Sequence, residues 1–254
     1  MYFLVEGGNI WPDVVTNFDP REVGKPLTAA TQKYIDQLGA RVNTVGSCWK
    51  PRFDKDGNVV PSNDLDAMLD LAVLQHVFQT PDAKTTRKAL NDYLQKQGLE
   101  TKQAGVTVHT RMPLGDKFYQ VDLKVVPNAA KVAQFHRHDI PQGSPYKGVN
   151  KQLVMNALAS SQGMLWSPDE GLYKRDASGK KAELLSDDWD MIAQYLLGKG
   201  ATGSDLGSVE SIMAKITDPK RKEEIMNMAR AGASWQAATP GVNEWFKNTL
   251  EMLK

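Results

Sequence analysis

Asp64 and Asp66 flank Leu65 in the run SNDLDAMLD (62–70), and a third aspartate, Asp122, stands between Val121 and Leu123 in the apolar stretch KFYQVDLKVV (117–126). In a strand, residues i and i+2 share a face, roughly 6–7 Å apart, so Asp64 and Asp66 project together. Asp is disfavoured in strands, and an unpaired buried carboxylate is costly. Two carboxylates at about 4 Å repel by roughly 4 kcal/mol at an effective dielectric near 20. A shared proton or a cation relieves that repulsion. Carboxylate oxygens without His or Cys suit magnesium or manganese better than zinc. Three of them can hold two divalent ions about 3.5–4 Å apart, the arrangement that stabilises the attacking and leaving oxygens of phosphoryl transfer. Upstream, Gly46-Ser47 ends a candidate strand, where glycine permits close backbone approach. Each short pattern is common alone; the order strand-Gly-Ser, Asp-x-Asp, helix, strand, apolar-Asp-apolar is far more specific.

The elements that must position these residues follow from periodicity and punctuation. The segment up to Pro26 reads as an irregular arm. A helix is expected over 28–39, capped by Thr28 and stopped by Gly39. A short strand is expected over 41–47, then turns at Pro51, Asp56-Gly57 and Pro61. DLDAMLDLAVL reads as a strand running on into apolar sequence. The clearest helix is 80–98, with Thr80 as cap, Pro81 at N1 and Gly98 at its end. Strands at 105–112 and 117–126 follow, turning at Pro113 and Gly115. Further on, AAKVAQFHR reads as a helix, DIPQGSPYKG as a connector, 149–163 as a helix ending at Gly163, and MLWSPDEGLYKRDASGKKAELLS as short strands or loop. Ser186 is the expected cap of a helix over 186–198; one or two more follow, and NEWFKNTLEML forms a last one. The expected class is α+β: a small mixed sheet with helices on one side, then a helix-rich half. The expected divisions are an arm over 1–26, a first domain over 27–135 and a second over 136–254.

At these residues the sequence resembles the DNA polymerase β-like nucleotidyltransferase superfamily, over roughly 28–126 as palm and more weakly to about 198. The passage from VDLKVVPN through PQGSPYKGVNKQLVMNALASSQG is similar to the palm-to-thumb passage of family X polymerases. The combination EGGNIW, TVGSCW, NDLDAMLD, GVTVHT, YQVDLKVV and YKGVNKQLVMNALA looks still more like the small nucleotidyltransferases of tailed bacteriophages. The resemblance implies that Asp64 and Asp66 ligate both of two Mg²⁺ or Mn²⁺ ions and that Asp122 ligates the catalytic one. It implies that Gly46 and Ser47 cradle the nucleotide phosphates, with Gly143 and Ser144 near the sugar. The implied reaction transfers a nucleoside monophosphate from an NTP or dNTP to an acceptor hydroxyl, releasing pyrophosphate, with an RNA or DNA 3′ end as the expected acceptor. A non-catalytic nucleic-acid or virion-associated module on the same fold and a compact repair polymerase are the alternatives. The sequence departs from the family pattern at Asn63, where glycine is usual; Asn tolerates left-handed backbone. It lacks the template-facing arginine in NKQLVMNA, and no lyase domain is expected ahead of the palm, which favours untemplated transfer.

Lys50, Arg52 and Lys147 are candidate triphosphate contacts, set against ordinary solvated side chains. Tyr146 is set between stacking on a base and packing on the next helix. Trp49 could border the nucleotide pocket. His136 and His138 read as a surface pair, His109 as structural, and Asp70 and Asp116 as surface residues. Lys174, Arg175, Lys180 and Lys181 could meet a nucleic-acid backbone. The net charge of +1 shows no strong basic field, and the lone cysteine, Cys48, allows no internal disulfide. The start, MYFLVEGGNIWPD, has no basic n-region, and no apolar run approaches a membrane span. A cytoplasmic location is expected, in the host cell if a bacteriophage encodes the chain.

Overall fold

A computed structural model of the chain describes residues 10–237. The fold is mixed α+β and divides into two compact units. The described residues up to Arg52, with Asn58–His136, form one; Phe53–Gly57, with the described residues from Arg137 on, form the other. The expected last helix, NEWFKNTLEML, lies outside the described residues.

The first unit opens with α1 (Pro20–Ile35), well inside the stretch expected to be irregular. Its cap is Asp19, whose carboxylate accepts from the Arg21 N–H at 2.8 Å, and not Thr28. Pro20 starts the helix and Pro26 sits within it. A proline removes one helical hydrogen bond. The buried stripe Leu27, Thr31 and Ile35, at i, i+4 and i+8, carries the helix through it. A 3₁₀ turn follows, and Gly39 stops it with φ of 62°. Next come β1 (Asn43–Thr44), the single turn α2 (Gly46–Trp49) and β2 (Asp64–Asp70). β2 gives way at once to α3 (Leu71–Phe78), where one continuous strand was expected. Asp70, read as a surface residue, is the switch: its Oδ1 accepts from Ala72 N at 3.0 Å and Val73 N at 3.3 Å. α4 (Ala83–Lys96) is capped by Asp82, which accepts from Lys84 N and Thr85 N, and not by Thr80. β3 (Glu100–Ala104), β4 (Thr107–Leu114), β5 (Lys117–Val126) and α5 (Ala129–His136) complete the unit.

The sheet has five strands in the order β1-β2-β5-β4-β3. β2 and β5 are parallel, and the other neighbours are antiparallel. Leu65, Ala67 and Leu69 of β2 and Val121, Leu123 and Val125 of β5 join one core cluster with Leu27 and Ile35 of α1, Leu74 of α3 and Leu90 and Leu94 of α4. Alternation sends the intervening residues to the opposite face. Helices were expected on one side only. Instead α5 packs on that opposite face, where Val132 and Ala133 meet Met68 and Val126.

The second unit is organised around α6 (Gly148–Ser160), buried almost throughout from Asn150 to Ala159 and packed on β6 and α9. The stretch expected as short strands or loop is an antiparallel sheet of β6 (Met164–Ser167), β7 (Gly171–Arg175) and β8 (Lys181–Ser186). α7 (Trp189–Leu197) is capped by Asp188 and not by Ser186, which ends β8. α8 (Val209–Lys215) and α9 (Pro219–Ala237) follow. No helix among the described residues is long and apolar enough to cross a membrane.

Candidate active site

Register brings the aspartates together. Asp66 of β2 lies directly opposite Asp122 of β5, and Asp64 lies opposite Gln120. Neighbouring strands are about 4.8 Å apart. On the other side of β5, His109 of β4 pairs with Asp122, and Arg111 pairs with Gln120. The face away from α1, α3 and α4 therefore presents Asp64, Asp66, Gln120, Asp122, Lys124 and His109 side by side.

Within this group, His109 Nδ1 meets Asp122 Oδ1 at 2.8 Å, and Gln120 Nε2 donates to the same oxygen at 3.1 Å. Lys124 Nζ stands 4.0 Å from Asp66 Oδ1. Asp122, Lys124, Gln120 and His109 are buried, whereas Asp64 and Asp66 are half-buried, the Asp66 side chain 28% exposed. The cluster thus opens to solvent at the β2 pair. Burial, then the Asp122 charge, pushes the Asp64 carboxyl up to about 7, against an opposing pull from His109. Burial, then the charges of Asp64 and Asp122, drives Asp66 well above the ordinary carboxylate range. Burial first, and then Asp66 and Asp64, pushes the Cys48 thiol up to about 12, so it stays protonated at neutral pH.

The Gly46 turn abuts the cluster. Its φ is 63°, and a Cβ there would lie 3.2 Å from Asp66 Oδ2. Glycine serves here because the backbone is left-handed and the carboxylate is close. Val45 N donates to Asp66 O at 2.9 Å, tying the turn to β2. Ser47 shares a hydrogen bond with Ser62, Oγ to Oγ at 2.8 Å, and Ser62 Oγ donates to Asp64 O at 3.0 Å. Asn63, where the family usually has glycine, is not left-handed and needs none of the tolerance that Asn offers; Asn17 is left-handed, with φ of 57°, and its N–H donates to Asn63 Oδ1 at 3.0 Å.

The remaining candidates are placed as follows. Lys50 and Arg52 follow α2 in the first unit, Lys50 exposed and Arg52 half-buried; Trp49 before them is 42% exposed. Gly143, Ser144, Tyr146 and Lys147 belong to the second unit. Gly143 has φ of 74° and donates to Phe53 O at 3.0 Å; Ser144 Oγ accepts from Tyr146 N at 3.1 Å; Lys147 N donates to Asn150 Oδ1 at 2.7 Å as α6 begins. His136 and His138 are half-buried and fall in different units. Of the basic cluster, Lys174 pairs with Glu183 and Lys181 with Glu170, each at 2.6 Å, and Arg175 Nε donates to Met164 O.

Two neighbours, Gln120 and Lys124, escaped sequence reasoning as parts of the site; on sequence alone His109 stands between facing the site and a structural role, with the structural role favoured. The alternation Gln120-x-Asp122-x-Lys124 was there to be read. The pairing of His109 with Asp122 follows from the hairpin register through Gly115-Asp116. Among the described residues, no group of three or more His, Cys, Asp or Glu side chains forms a ready-made metal cage. The aspartates are neighbours on one face, short of a closed coordination sphere. Compared with known proteins, the chain matches no family model and no curated sequence.

Proposed function

We propose that the acidic face is the active site of a metal-dependent nucleotidyltransferase, with the first unit as palm and the second as a thumb-like domain, acting in the cytoplasm. The observation that carries this reading is the Asp66–Asp122 register, with Asp64 on the same face and the Gly46 backbone against Asp66. The donor set fits hard cations: carboxylates made proton-hungry by burial and by one another hold Mg²⁺ or Mn²⁺ through oxygen. An incomplete cage suits this role, because Mg²⁺ is commonly held by one or two carboxylates while substrate phosphates and water supply its other ligands.

Asp64 and Asp66 would ligate both ions and hold the one on the triphosphate side, and Asp122 would ligate the one on the hydroxyl side. Two such ions, when bound, would neutralise triphosphate charge and lower the pKa of an acceptor hydroxyl. The acceptor hydroxyl would give up its proton to solvent as its oxygen attacks the α-phosphorus in line; the bond to the β-phosphate oxygen would break, and pyrophosphate would leave. Positioning and charge stabilisation supply most of the rate. Lys124 Nζ stands beside Asp66 at 4.0 Å. The acceptor of choice is an RNA or DNA 3′-hydroxyl.

The test is transfer of α-labelled NTPs or dNTPs to RNA and DNA oligonucleotides with Mg²⁺ or Mn²⁺. Transfer that disappears in Asp122→Asn while the fold persists supports the reading. Nucleic-acid binding without transfer, equal in both proteins, replaces it with a binding module. A requirement for template would make the protein a compact polymerase.

A further inference from the structure

Asp122 is held by an unusual set of partners for a carboxylate inside a sheet. Both of its hydrogen bonds fall on one oxygen: Oδ1 meets His109 Nδ1 at 2.8 Å and Gln120 Nε2 at 3.1 Å. Oδ2 has no hydrogen bond among the described residues. Gln120 is itself oriented. Its Oε1 accepts from the Ile10 N–H at 2.8 Å, which turns its NH₂ toward Asp122. The segment around Ile10 is docked there by further contacts. Val15 N donates to Phe118 O at 2.8 Å, Asp13 pairs with Arg111, and Lys102 lies over the Trp11 ring. A chain of polar contacts thus runs from the backbone of the first described residue to the carboxylate opposite Asp66.

A bidentate structural pair would engage both oxygens. Here the His109 and Gln120 side chains take one oxygen and leave its twin on the face shared with Asp66 and Asp64. That geometry does what second-shell partners do for an anionic ligand: it fixes the carboxylate plane and selects the oxygen that ligates. An ionised Asp122 also fixes the His109 tautomer, since only Nδ1–H can donate to it.

We propose that His109 and Gln120 are positioning residues that aim Asp122 Oδ2 at the reaction centre, and that the segment at Ile10 completes this device by orienting Gln120. The inference rests on the nucleotidyltransferase reading for its consequence in rate, but its geometry is testable without that reading.

The first measurement uses the metal-free protein in chelator. Imidazole ¹⁵N NMR should show His109 as the Nδ1–H tautomer; an Nε2–H tautomer overturns the proposal whatever the protein catalyses. The second uses nucleotidyl transfer and Mn²⁺ binding by electron paramagnetic resonance. His109→Leu and Gln120→Leu should each lower Mn²⁺ affinity or kcat by about 10–100-fold with little change in KM for the nucleotide. His109→Asn, which keeps a donor near the Nδ1 position, should recover to within a few-fold of wild type. Ile10→Pro, which removes the donor to Gln120 without touching the sheet, should give a smaller loss of the same kind and guards against a misfolded Gln120→Leu. Leucine variants that melt like wild type and keep wild-type kcat and Mn²⁺ affinity overturn the proposal. Loss of wild-type transfer alone would overturn the activity, leaving the tautomer to decide the positioning.

Discussion

The two faces of the five-stranded sheet share the same strands and obey opposite rules. Leu65, Ala67, Leu69, Val121, Leu123 and Val125 face α1, α3 and α4 and are at most 1% exposed. One residue along each strand, Asp64, Asp66, Asp122 and Lys124 face away. The first face stabilises the unit by removing apolar surface from water. The second gathers like charges, which opposes folding until a proton or cation compensates it. Proteins retain such a cost where function needs it.

The largest predicted effects lie on the apolar face. Leu69→Ala or Leu123→Ala should lower stability by about 2–5 kcal/mol in urea unfolding, because both side chains are fully enclosed. The opposite face should respond with opposite sign. Asp64→Asn or Asp66→Asn should raise metal-free stability at pH 7 by on the order of 1 kcal/mol, since partial exposure screens the repulsion. A loss of several kcal/mol in either would break the comparison. The same variants should reduce transfer by roughly 10³-fold, the scale of several kcal/mol of lost charge stabilisation.

The pH dependence sharpens the contrast. The Asp64 carboxyl titrates near 7 in the folded protein against 3.8 ordinarily. The native state therefore binds more protons across that window, and metal-free stability falls as pH rises from 3.8 to about 7. Saturating Mg²⁺ should flatten the slope by mass action. Lys151, enclosed in α6 with its Nζ donating to Arg137 O at 2.7 Å, behaves the other way. Burial lowers its pKa to about 7 from 10.5. The unfolded state then binds more protons, so stability rises with pH between about 7 and 10.5, and Lys151→Met should abolish that rise. Thermal melts from pH 4 to 10 of both variants test the two slopes. A last comparison distinguishes two glycines. Gly98→Ala at φ of 85°, with open space around it, should cost about 1–2 kcal/mol. Gly46→Ala should cost that and also impair transfer, because its Cβ would press on Asp66.

Much of this face was legible because period-two alternation is local. Asp64, Asp66 and Asp122 each announce an acidic residue where apolar neighbours demand a strand. The α3 helix was not legible, since DLDAMLDLAVL is apolar on either side of the break. The Ala72 and Val73 N–H groups donating to Asp70 Oδ1 mark the switch. β3 was hidden because ETKQA is a polar, mostly exposed edge strand. α1 was misread because Pro26 looked like a boundary, while its buried stripe outweighs one lost hydrogen bond.

The sequence by itself determined which residues share a strand face and which turns need glycine, because both depend on backbone geometry within a few residues. Which strands lie side by side was decided only by the tertiary structure. Asp66 and Asp122 are 56 positions apart in the numbering, and their register is set by how β2 and β5 pack beneath α1, α3 and α4. The same packing placed Lys124 beside Asp66, a contact between strands far apart in the chain for which no local pattern exists.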